Sequence, residues 1–117
     1  FDVCFVPHLL PIRRGIVATC YVMPNEDADL RTLLEAAYAD APAVDVLPEG
    51  VTPDLSRVQN TDATEIGLFH DQATDRAIVI SAIDNLGKGA AGSAIQNANL
   101  ALGLEQTAGL KLSGVLV

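Results

Sequence analysis

Apolar residues run almost unbroken from Gly15 to Met23 (GIVATCYVM) and again from Ala77 to Ile83 (AIVISAI). Runs of this length, rich in β-branched side chains, predict strands covered on both faces, the second of them central in its sheet. Between the two the period changes. Leu30, Leu33, Leu34, Ala37 and Tyr38 fall at i, i+3, i+4, i+7 and i+8, which is one stripe of an amphipathic helix. The acidic stretch Asn25–Asp29 precedes it, at the positive end of the helix dipole, and Asp40–Pro42 stops it. Shorter strand signals lie at Val3–Val6, at Ala43–Leu47 and around Ile66 and Leu68. Pro48–Glu49–Gly50 reads as a turn, Val51–Asp62 as a loop, and Asp71–Asp75 as a hairpin connection. Gly87 and Gly89 lead into a helix from about Ala90 to Leu102, where Gly103 ends it, and Leu110–Val117 offers a last strand. The order ββαβββα, with strands mostly following strands, predicts an α+β domain. Its sheet is expected to be mixed and largely antiparallel, with helices on one face.

Composition narrows the class. The chain has 117 residues, half of them apolar, and a mean hydropathy of +0.31, which is core-forming and excludes intrinsic disorder. No apolar window is long enough to span a bilayer. The net charge is −8 and the pI near 4.4, and Arg13–Arg14 is the sole adjacent basic pair. Nucleic acid and membranes are therefore excluded as partners. Strand character begins almost at Phe1, which suggests a portion of a longer polypeptide. Cys4 and Cys20, each flanked by apolar residues, read as core thiols. They are too few for a disulfide framework or a zinc site, and they point weakly to a reducing compartment. The acids between Glu26 and Asp75 read as a solvated face rather than a metal cage, and His70 as exposed at the hairpin.

Two segments could carry chemistry. The first is Pro7–His8–Leu9–Leu10–Pro11–Ile12–Arg13–Arg14–Gly15, an imidazole and two guanidiniums on a loop stiffened by two prolines. Guanidinium pairs bidentately with phosphate or carboxylate, although here the arginines could equally balance an acidic surface. The second is Asp84–Asn85–Leu86–Gly87–Lys88–Gly89–Ala90–Ala91–Gly92, a glycine-rich turn opening a helix that carries Gln96 and Asn97. Backbone N–H groups at a helix start favour an anion or a cofactor. The alternative is a plain strand-to-helix connection whose glycines permit close packing. The turn has neither Walker A spacing nor a G-x-G-x-x-G fingerprint, so the chain lacks a dinucleotide-binding unit of its own.

These two segments resemble one family. Phe5–Val6–Pro7–His8–Leu9–Leu10–Pro11–Ile12–Arg13–Arg14–Gly15–Ile16–Val17–Ala18–Thr19 is similar to the F-x-P-H-L-x-P-x-x-R-G-I-x-A-T stretch of N-acetyl-γ-glutamyl-phosphate reductases. Ala82–Gly92 with Ala94–Ile95–Gln96–Asn97 and Asn99 is similar to that family's I-D-N-L-x-K-G-A-A-G-x-A-x-Q-N-x-N helix entry, and Leu102–Gly103–Leu104 and Thr107–Leu110 fit its C-terminal end. Order and spacing agree over essentially the whole chain.

The resemblance, within the aspartate-semialdehyde dehydrogenase-like superfamily, implies reduction of N-acetylglutamyl 5-phosphate to the 5-semialdehyde in arginine biosynthesis. It implies NADPH as cofactor, a cysteine thioester, and a cytoplasmic homo-oligomer. It implies a C-terminal domain like that of glyceraldehyde-3-phosphate dehydrogenase. Residues 1–84 would belong to the catalytic and dimerisation domain. Residues 85–117 would form a helix and tail returning to an NADP-binding domain absent from this chain. The nucleophilic cysteine and the base histidine are expected upstream, so no catalytic residue and no metal ligand is assigned here, and this portion alone is expected to be inactive. His8 and Arg14 would bind substrate, and Lys88, Gly89, Gln96 and Asn97 would lie by the cofactor. Where the family commonly has Gly-Ser/Thr-Asn, this chain has Asn60–Thr61–Asp62. Two other readings stand beside this one: a non-catalytic dimerisation module, and a related semialdehyde dehydrogenase for another acyl phosphate.

Overall fold

A computed structural model describes residues 2–25 and 29–113 of the chain. Four strands form one mixed sheet in the spatial order β1-β4-β3-β2, where β1 is Ile16–Val22, β2 Val44–Val46, β3 Thr64–Asp71 and β4 Arg76–Ile83. β4 pairs antiparallel with β1 from Ile16↔Ile83 to Val22↔Ala77, and with β3 from Thr64↔Ile83 to Asp71↔Arg76. β2 runs parallel to β3, and its crossover carries the short helix α2, Leu55–Val58. The apolar run at 77–83 thus holds an interior position in the sheet, as its composition predicts.

Helix α1, Leu30–Tyr38, matches its apolar stripe. Asp29 caps it by accepting from the backbone N–H groups of Arg31 and Thr32 and from the Thr32 hydroxyl. Glu26 and Asp27, also expected at that start, lie outside the described residues. The β3–β4 hairpin closes as Asp71 accepts from the Ala73 N–H and the Thr74 hydroxyl, while Asp75 takes the left-handed conformation at φ 51°. His70 is exposed there, with Nε2 2.9 Å from Asp75 Oδ1. After β4 the chain enters a wide π-helical turn, Gly87–Ala91, which continues as α3, Gly92–Ala101.

Several expectations fail. Val3–Val6 forms no strand, and neither do residues 110–113 of the expected last strand, whose remainder lies outside the described residues. The polar segment 51–62 contains α2, capped by Asp54 at the Ser56 N–H. Strand β1 is exposed along its whole length rather than covered on both faces, and Cys4 and Cys20 are exposed rather than in the core. One cause explains the strand and Cys20. β1 is the edge strand, and among the described residues no helix packs extensively over it. Among the described residues the buried apolar core is correspondingly small: Ala43, Leu47, Val58, Ile66, Ala77 and Ala82.

Candidate functional site

The two motif segments meet. Arg14 lies just before β1 and Asp84 just after β4, and the antiparallel register that pairs Ile16 with Ile83 brings them side by side. Arg14 Nη2 donates to Asp84 Oδ1 at 2.6 Å. Nε lies 2.6 Å from Oδ2, a charge contact whose N–H is not aligned as a hydrogen bond. One position on, the Gly15 N–H donates to Asn85 Oδ1 at 2.7 Å. Gly15 adopts φ +123°, a backbone shape that side-chain-bearing residues rarely take. A Cβ there would also fall 2.7 Å from Leu55 Cδ2 of α2.

Asp84 is the centre of this junction. It is 0% exposed, and besides Arg14 it accepts backbone N–H groups from three residues. Leu86 and Gly87 donate to Oδ1 at 2.8 Å each, and Asn60 donates to Oδ2 at 2.6 Å. Burial alone would raise its pKa. The Arg14 hydrogen bond and the Gly87, Asn60 and Leu86 amides outweigh that effect and hold the carboxyl far below the usual carboxylate range. Asn60 reaches it by adopting φ 59°. Gln59 closes the ring by donating its side-chain amide to the Arg14 carbonyl at 2.8 Å.

The glycine-rich turn is shaped by what packs on it. A Cβ on Gly87 would lie 2.2 Å from the Thr61 carbonyl oxygen, and one on Gly92 would lie 2.1 Å from Asp62 Oδ1. The loop Asn60–Thr61–Asp62 is therefore seated against the helix entry. Thr61, 1% exposed, bonds through its hydroxyl to the Val58 carbonyl. Asp62 exchanges bonds with Lys111: its N–H donates to the Lys111 carbonyl at 2.7 Å, and its Oδ2 accepts the Lys111 N–H at 2.9 Å. Several amides of the turn are engaged as well. Leu86 and Gly87 serve Asp84, Gly89 N–H reaches the Asp84 carbonyl, and Ala91 N–H reaches the Leu86 carbonyl. These i→i−5 bonds are what widen the turn.

The other residues singled out in the sequence fall into two groups. Lys88 Nζ donates to Gln96 Oε1 at 2.7 Å, and Gln96 Nε2 reaches Gln106 Oε1 at 3.1 Å, so Lys88 and Gln96 share a half-buried polar chain. Gly89 and Asn97 are exposed on the same helical segment. His8 is exposed in the leading segment, with Nδ1 3.1 Å from the Val6 carbonyl, and no hydrogen bond joins it to Arg14. A groove of about 600 Å³ lined in part by Pro24, Arg31, Glu49, Phe69 and His70 holds none of these residues.

Gln59 was not singled out by sequence reasoning, and Asp84 and Asn60 were named only as members of the glycine-turn segment and of the loop that departs from the family, with no role of their own. Asp84 had a signal, a carboxylate directly at the end of a seven-residue apolar strand, where burial obliges it to find partners. Gln59 carried none, and the departure at Asn60–Thr61–Asp62 gave no hint of a bond to Asp84, because both roles depend on where the loop lands. One buried acid contradicts the solvated-face reading: Glu65, 7% exposed, accepts Arg57 through both oxygens at 2.6 and 2.8 Å, and the Asp54 N–H at 2.9 Å.

The model of the semialdehyde dehydrogenase dimerisation domain matches residues 1–85. The chain is 47% identical over 111 residues to the N-acetyl-gamma-glutamyl-phosphate reductase of Paracoccus denitrificans, covering 95% of this chain and 32% of that protein. It is 50% identical over 114 residues to the enzyme of the same name from Citrifermentans bemidjiense, covering 95% of this chain and 33% of the relative. Against the one from Streptomyces clavuligerus it is 47% identical over 117 residues, covering 97% and 34%. The chain spans about a third of the length of the curated relatives it matches. With a family model matching from the leading segment through Asn85, the chain belongs to the semialdehyde dehydrogenase dimerisation-domain family.

Proposed function

We propose that this chain is the C-terminal portion of an NADPH-dependent N-acetyl-γ-glutamyl-phosphate reductase, a cytoplasmic enzyme of arginine biosynthesis. The observation that carries the reading is identity near one half over 95% of the chain to proteins bearing that name. Acyl-phosphate reduction needs a thiolate nucleophile, a base, an anion anchor and a bound nicotinamide in one pocket. In this reading the nucleophile and base come from the upstream two thirds, and this chain contributes the anchor and a face toward the cofactor. By itself it is inactive.

Arg14 is the anchor in this reading. Its guanidinium is fixed on one side by Asp84, its side chain remains 29% exposed, and among the described residues Nη1 makes no hydrogen bond. A guanidinium held in this way can meet a phosphate or carboxylate without first losing its freedom. His8, on the same loop, is the second substrate contact. NADPH, when bound, supplies the hydride. The residues here suit a flanking role rather than a cradle: the Lys88 ammonium is positioned by Gln96, and Gly89 and Asn97 are exposed beside it.

The exposed β1 face favours an accompanying role in self-association. Tyr21 is 66% exposed, and Val17 on the same strand face is 49% exposed. Apolar surface of this extent on a strand is normally covered by another chain or domain. Among the described residues no helix is long and apolar enough to cross a membrane.

The test is to assay the whole reductase in the reverse direction, following NADP⁺ reduction with N-acetylglutamate semialdehyde and inorganic phosphate. Phosphate-dependent turnover is expected, and none is expected from residues 1–117 alone. Turnover of a different semialdehyde in preference to this one would move the assignment to a sister enzyme. A binding-competent protein with no turnover of any semialdehyde would leave only the dimerisation module.

A further inference from the structure

The buried carboxylate between the motifs suggests a role that neither motif has alone. We propose that Asp84 is a positioning residue for phosphate binding, acting through Arg14 by clamping one side of the guanidinium and leaving the other directed outward. The inference rests on the reading of Arg14 as the anion anchor. Three facts support it. Asp84 Oδ1 accepts from Arg14 Nη2 at 2.6 Å and Oδ2 lies 2.6 Å from Nε as a charge contact, so one hydrogen bond and one ionic contact hold the guanidinium on its Asp84 side. The carboxylate is itself immobile, being fully buried and held by the N–H groups of Asn60, Leu86 and Gly87 from two different loops. The main chain at Arg14 is tied independently by Gln59 at its carbonyl and by Asn85 at the next N–H.

Each contact removes a freedom that an arginine otherwise loses only on meeting its ligand. The charge balance points the same way. One buried carboxylate facing one guanidinium leaves the pair neutral, so an incoming dianion does not find a free full positive charge. What it finds is a set of N–H donors already aimed. The contribution is therefore geometric, and it should be read in substrate affinity more than in turnover.

The experiment uses the whole reductase and inorganic phosphate as the varied substrate in the reverse reaction. Asp84→Asn keeps the shape and one acceptor oxygen but withdraws the charge from Arg14. It is expected to raise KM for phosphate about tenfold or more, the range for one misplaced charge-assisted hydrogen bond, with kcat of the folded enzyme within about threefold of wild type. In an Arg14→Ala background the same substitution should add little to KM, because its route of action is gone. A lower Tm and less active enzyme with KM unchanged would assign Asp84 a structural role only and overturn the inference. So would equal effects of Asp84→Asn with and without Arg14. Should Asp84→Asn yield no folded enzyme, Arg14→Lys decides. A lysine keeps the charge but cannot be clamped at two points, so the same selective rise in KM is expected, and an unchanged KM overturns the proposal. The underlying reading fails separately, by a wild-type enzyme without phosphate-dependent turnover or an Arg14→Ala variant with a wild-type KM.

Discussion

Substituting alanine at Gly92 and at Gly87 sets two effects of opposite sign against each other. Both residues are helical with no positive φ, so an alanine contributes about 1 kcal/mol of helix propensity in its favour. At Gly92 the new Cβ would sit 2.1, 2.7 and 3.0 Å from Oδ1, Cγ and Cβ of Asp62, where about 3.5–4.0 Å is comfortable. Overpacking of this kind costs about 1–3 kcal/mol. If Asp62 swings away instead, it gives up the Lys111 N–H, worth about 1 kcal/mol at a partly wet site.

With the propensity gain set against the clash, the net expectation for Gly92→Ala is a loss of about 0–2 kcal/mol. At Gly87 the obstacle is the Thr61 carbonyl at 2.2 Å, which is backbone and cannot rotate aside, so the loss should reach about 3 kcal/mol. The two are separated by truncating Asp62. Asp62→Ala should recover most of the Gly92→Ala loss, with a coupling of about 1–3 kcal/mol, and should leave Gly87→Ala unrescued. Urea denaturation midpoints of the whole protein, in both double-mutant cycles, provide the readout. Additivity within about 0.5 kcal/mol at Gly92 and Asp62 would refute the claim that the loop packs on the helix entry as described.

Stability should also respond to acid through Asp84. Its folded pKa is depressed, so its contribution is complete above the ordinary carboxylate range and drains away as pH falls through the lowered folded value. Denaturation followed across acidic pH should show a shallower acid arm in Asp84→Asn than in wild type, and parallel arms would contradict the sign. On the sheet edge, Val17→Glu or Tyr21→Glu places a charge on the exposed apolar face of β1. Sedimentation velocity should then show a shift toward smaller species, and an unchanged profile would remove this face from self-association.

Local pattern was sufficient wherever one side chain's environment follows from its neighbours. The stripe Leu30–Tyr38 gave the helix to the residue, the acid before it gave the cap, and the unbroken run at 77–83 gave an interior strand. The pattern failed where coverage depends on something far away or outside the chain. Residues 16–22 carry the composition of a doubly covered strand yet lie open at the edge. The leading segment has β-rich composition at Val3–Val6 but no strand beside it to pair with. The same limit applied at the junction. Arg14 and the glycine turn stood out by residue type, but that Arg14 would face Asp84 followed only from the β1–β4 register. The glycines were ambiguous between anion binding and close packing until the Thr61 and Asp62 contacts favoured packing at positions 87 and 92.

The sheet order has a consequence for biosynthesis. β1 is translated well before its pairing partner β4, the last of the four strands in chain order among the described residues. At about 5–20 residues per second, several seconds pass in which an apolar, β-branched strand has an unpaired edge. Nothing translated in between can hydrogen-bond to it in the native arrangement, since β2 and β3 lie on the far side of β4. For that interval the nascent chain presents the kind of segment that chaperones hold and aggregates recruit. Slow codons placed within the hairpin would lengthen that exposure without altering a single side chain.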